Sequence, residues 1–153
     1  MQLLGFTEPS VHSLFQANMV QRDIIQEQIE QLGRVLGKIL ADFLKLRTNA
    51  DPVQAISITQ EELREQVGFD FPHFTTLDGA AALAYVTQLE LTGEHLDHLA
   101  KFAVQVAEAQ PLGRKENLRS ALRLLDLAAL RSETVTFDRI FLRRRIEEGL
   151  EGE

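Results

Sequence analysis

The chain has 153 residues, no cysteine, and 23 acidic against 16 basic side chains, a net charge of −7. That length gives one ordinary domain able to bury roughly 70% of its unfolded surface. The missing cysteine excludes disulfides, thiolate catalysis and cysteine-ligated zinc; the composition indicates neither disorder nor a membrane span, and no membrane partner is expected.

The opening MQLLGFTEPSVHSLF has no basic n-region and no long apolar core. It does not read as a signal peptide, so a cytoplasmic location is the expectation. A long helix over residues 10–46 follows. Ile25, Ile29, Leu32, Leu36, Ile39, Phe43 and Leu46 are spaced alternately four and three residues apart, the heptad pattern of helix pairing. Val35, Leu40 and Leu44 widen the stripe, while Asn18 and Arg22 interrupt it upstream.

Beside the seam run Gly33, Gly37 and Ala41. Each helical glycine costs about 1 kcal/mol of propensity, and the close approach of a second helix would offset it. The sequence leaves open whether that helix is the chain's own or a second copy's. Ile25, Ile29, Leu32, Gly33, Leu36, Gly37, Ile39 and Phe43 are the candidate self-association seam, and the homodimer is a symmetric expectation.

Residues 51–91 read as short helices around an aromatic loop. Asp51 offers an N-cap with Pro52 behind it and Gln54 three residues on. Thr59 to Glu62 reads as a second capping box, opening a helix that Gly68 ends. Phe69, Phe71 and Phe74 around Pro72 either plug the core or line a pocket; loops between short helices commonly do the former. Thr75 or Thr76 is the expected cap of the next helix, with Ala80, Ala81, Ala82 and Ala84 as its packing face.

Residues 94–150 read as a helix hairpin with a closing helix. Leu96, Leu99, Ala103, Val106 and Ala107 point inward on the first arm. Leu118, Ala121, Leu122, Leu125 and Ala129 do so on the second. The turn at 110–113 is so short that the arms must be antiparallel. Thr134, Val135 and Thr136 are too few for a buried strand. Thr136 is better placed as the N-cap of the last helix, with Asp138 in its first turn. Phe141 or Leu142, Ile146 and Leu150 then face inward. Arg143 and Arg144 can reach Glu147 and Glu148.

Charge is unevenly placed. Residues 1–111 carry seven basic against fifteen acidic side chains, and residues 112–146 carry nine against four. Lys115, Arg119 and Arg123, four apart, with Arg139 and Arg143, form a candidate basic face for an acidic partner. No stacking aromatics, recognition helix or zinc framework accompanies it, which argues against nucleic acid.

MVQRDIIQEQIEQLGRVLGKIL, residues 19–40, resembles the opening of an uncharacterised bacterial family of small all-helical proteins, in its Arg-Asp pair and I-E-x-L core. ENLRSALRLLDLAALRSETVTFDRIFLRRRIEEGL resembles that family's ending, with Thr134-Val-Thr-Phe-Asp-Arg139 carrying Val135 where the family has an aromatic. Residues 94–131 are similar to a tetratricopeptide-like hairpin, without the Trp/Tyr and Pro signature or the 34-residue period of a true repeat. The resemblance implies an all-helical domain and no assigned activity.

Candidate chemistry is sparse. His95 and His98 share a helix face with Glu94 nearby, but a catalytic metal needs about three protein ligands. No HExxH, nucleophile elbow or phosphate loop is present. The expectation is a single all-α domain over 1–153. Its long N-terminal helix packs on a tetratricopeptide-like hairpin array, with about six helices in all. It is expected to be non-enzymatic, to need no cofactor, and to bind a second copy or another protein. The alternatives are a small-ligand or metal-assisted enzyme using the 69–74 loop with His95 and His98, or a weak nucleic-acid binder through the basic face.

Overall fold

A computed structural model describes residues 11–132 and 134–152, with side chains from residue 16 onward. Seven helices and no strand occur among the described residues: α1 (Val11–Asn49), α2 (Pro52–Gln66), α3 (Phe71–Phe74), α4 (Gly79–Gln88), α5 (Gly93–Ala109), α6 (Arg114–Leu130) and α7 (Phe137–Glu151). Where composition suggests one domain, the chain divides into two compact units, Met1–Gln31 and Leu32–Glu153. In the first unit the described side chains are exposed except for the half-buried Ile29.

In the second unit the heptad seam is covered. Leu36, Ile39 and Phe43 are buried, with Leu32, Val35, Leu40 and Leu46 packed at the edge of the same core. Phe43 meets Phe102 of α5 edge to face at 5.2 Å, and Phe71 meets Phe102 the same way at 5.4 Å, a favoured arrangement of ring quadrupoles. Phe69, Phe71 and Phe74 are all buried. The aromatic loop therefore plugs the core, fixed in part by Tyr85, whose hydroxyl accepts the Asp70 N–H at 2.8 Å.

Asp51 caps α2 as its sequence position suggests, accepting from the Val53 N–H. The second capping box at Thr59 does not form, because α2 runs unbroken through it. Thr59 lies on the buried face with Ala55, Ile56 and Leu63, and its hydroxyl donates to the Ala55 carbonyl at 2.8 Å, a bond that satisfies it inside a helix. Thr75 and Thr76 likewise turn back to the Pro72 and His73 carbonyls. The cap of α4 is instead Asp78, which accepts from the Ala81 N–H at 2.8 Å. Of the four alanines expected to pack on that helix only Ala82 is buried; Ala80, Ala81 and Ala84 are exposed.

Helices α5 and α6 form the expected antiparallel hairpin. Leu96, Leu99, Ala103, Val106 and Ala107 are buried, as are Leu118, Ala121 and Leu125. Ala129 is exposed, and Leu124, Leu127 and Ala128 complete the buried face. At the open end Gly93 lets α5 start against the end of α6: a Cβ there would stand 2.6 Å from Ser132 Cβ and 3.0 Å from the Ala128 carbonyl oxygen. Thr136 caps α7 by accepting the Arg139 N–H at 3.1 Å. Ile146 is buried and Leu142 half-buried, while Phe141 is 63% exposed.

Candidate functional site: an apolar groove bordered by α1, α5 and α7

Of the small residues on α1, Gly33 packs against α5, where a Cβ would meet the His95 ring at 3.8 Å, but Gly37 and Ala41 meet no other helix among the described residues. A Cβ on Gly37 would meet nothing within 4 Å, and Ala41 is exposed. What lies over them is an open groove of about 580 Å³. Helix α1 contributes Gly37, Leu40, Ala41 and Leu44; α5 contributes His98, Lys101, Phe102 and Gln105; α7 contributes Asp138, Phe141, Leu142 and Arg145. Small residues on one wall and two aromatic rings on the others leave a trough with apolar sides and a mixed polar rim. Sequence reasoning found the stripe and missed the groove, because periodicity left open whether Phe141 or Leu142 faces inward; Leu142 does, and Phe141 borders the groove.

The rim is tuned by burial. His98 is half-buried, and loss of hydration, reinforced by the Lys101 ammonium, holds its pKa below the ordinary 6.5 against the pull of Glu94 and Asp97. His95 plays a different part from its neighbour. It is buried, its Nδ1 accepts the Thr92 backbone N–H at 3.0 Å, and its backbone N–H donates to the Thr92 hydroxyl. It therefore closes a capping box at the start of α5, where the sequence suggested an exposed polar position or a metal corner. Among the described residues no group of three or more His, Cys, Asp or Glu could hold a metal ion.

The candidate basic face is dispersed into structural contacts. Arg139 is buried, and its Nε and Nη2 donate to the two oxygens of Asp97 at 2.9 and 2.8 Å, with Nη1 on the Thr134 carbonyl. Arg123 donates to the Leu77 carbonyl at 2.5 Å. Arg143 pairs with Asp126 of α6 at 2.6 Å rather than with Glu147, and Arg145 pairs with Glu108 of α5. Lys115 is half-buried, and Arg119 is exposed. These guanidiniums tie the loop before α4 and helix α7 to the hairpin, since a planar fork bonds two acceptors at once.

The candidate seam divides at the boundary between the units. Leu36, Ile39 and Phe43 are buried in the chain's own core and so cannot meet a partner. Leu32, Gly33 and Gly37 are half-buried, Ile29 is half-buried, and Ile25 is 48% exposed. Met19, Val20 and Ile24 are exposed to a similar degree. No helix among the described residues is long and apolar enough to cross a membrane. No family model, curated protein or solved structure matches the chain.

Proposed function

We propose that the chain is a non-enzymatic protein–protein interaction module that associates with itself through α1. The observation that carries this reading is the open groove over Gly37 and Ala41. Its volume suits apolar side chains of an incoming helix, and its sides offer dispersion contacts rather than convergent polar groups. The same helix exposes Met19, Val20, Ile24 and Ile25 in its first half, apolar surface that association would remove from water at about 25 cal/mol per Å².

An enzymatic reading has less to work with. Phe69, Phe71 and Phe74 are buried away from any ligand, and among the described residues no buried side-chain nitrogen or oxygen lacks a hydrogen-bond partner. The test is solution mass by light scattering over a wide concentration range. Twice the 17.3 kDa of one chain is expected at the upper end, with dissociation on dilution. A mass of one chain at every concentration would remove self-association from consideration.

A further inference from the structure

Helix α1 is segregated in charge along one flank. Asp23, Glu27 and Glu30 fall four and three residues apart, and Arg34, Lys38 and Lys45 continue the same spacing at four, four and seven. At 100° per residue all six stay on one side of the helix. The flank is therefore acidic in its first half and net basic in its second, where Asp42 lies between Lys38 and Lys45 and pairs with Lys38 across an exposed 3.0 Å contact. Lys38 and Lys45 are exposed, as are Asp23, Glu27 and Glu30.

We infer that the groove's occupant is the first half of α1 from a second copy, laid antiparallel, each copy filling the other's groove. This rests on the self-association reading above and specifies its partner surface. Parallel pairing would set acid against acid and base against base along the flank. Antiparallel pairing sets each acidic half against the other copy's basic half, and one two-fold axis generates both contacts.

The register follows from the small residues. Placing Ile29 over Gly37 puts Ile25 over Ala41. In that register Glu27 lies near Lys38, one residue from direct opposition. The isoleucines then enter the groove where a Cβ on Gly37 has nothing around it. The rim cation Lys101 is exposed beside them. Gly37, costly in an isolated helix, is explained by the other copy's side chains, whereas Gly33 faces His95 of its own chain.

The chain has no cysteine, so introduced thiols are the only ones present. Chains carrying Glu27→Cys are mixed with chains carrying Lys38→Cys and mildly oxidised at a concentration where light scattering gives a dimer. A mixed disulfide in large excess over the two like-with-like species is expected. Like-with-like disulfides, or a dimer with no cross-link, would overturn the antiparallel arrangement while leaving self-association intact. A single-chain mass would overturn both.

A second measurement avoids thiols. Glu27→Lys with Glu30→Lys should weaken dimerisation at least tenfold, and adding Lys38→Glu with Lys45→Glu in the same chain should restore it. Failure of the restoring pair would count against the charge match. All four positions are exposed, and because Lys38→Glu also breaks the pair with Asp42 and Glu30→Lys sets two cations four apart, monomer helicity is measured beside the dimer constant to separate that small local cost from lost association.

Discussion

The Asp97 carboxylate takes both N–H bonds along one edge, Nε and Nη2, of the buried Arg139 guanidinium, so removing it strands a largely buried cation without its counter-charge. Asp97→Ala is expected to destabilise the fold by about 3 kcal/mol, read as a lower urea midpoint. Asp97→Leu combined with Arg139→Leu should recover most of that loss, because no orphaned charge remains. His98 gives the pH dependence. Its folded-state pKa lies below the unfolded value, so the unfolded chain takes up the proton first as pH falls through about 6.5. Stability is full above that pH and declines below it. His98→Asn should lose less melting temperature than the parent between about pH 7 and about pH 5.5. Neither role was legible in the sequence. Asp97 and Arg139 lie 42 positions apart, and only packing of α7 on α5 makes them neighbours.

Among the elements, those set by local chemistry were legible, and those set by neighbours were not. Asp51 and Thr136 cap helices because an oxygen two or three residues ahead of a free N–H has no competing use there. Thr59, Thr75 and Thr76 carry the same signal but sit behind a carbonyl that their hydroxyls reach first. Gly93 shows the neighbour's part. Alanine at a helix start is ordinarily harmless, yet here its Cβ would overlap Ser132 and press on the Ala128 carbonyl. Gly93→Ala is expected to cost about 1–3 kcal/mol by chemical denaturation. Ser132→Gly in the same chain should return only part of it, since the Ala128 contact stays.

For the whole molecule, association and stability are linked: anything that binds only the folded chain raises its melting temperature with concentration. The wild-type melting temperature should therefore climb as the chain is concentrated. Gly37→Leu separates the two contributions. Its side chain enters open space and replaces a poor helix former, so the dilute variant should be more stable by up to about 1 kcal/mol. The same side chain fills the groove, so its mass should stay at one chain and its melting temperature should not vary with concentration. A Gly37→Leu chain that dimerises as the parent does would show that the groove is not the contact.

The sequence by itself determined the all-helical class, the heptad line of α1, the caps at Asp51 and Thr136, and the antiparallel hairpin of α5 and α6. Each is a matter of periodicity or of groups within a few residues, where chain connectivity fixes the geometry. The tertiary structure alone decided that Leu36, Ile39 and Phe43 are covered while Ile25 is not. It also sent Arg123, Arg139 and Arg143 to partners on other elements and left Gly37 facing an open groove. A helical period tells which residues share a face, but the packing of distant helices decides what that face meets.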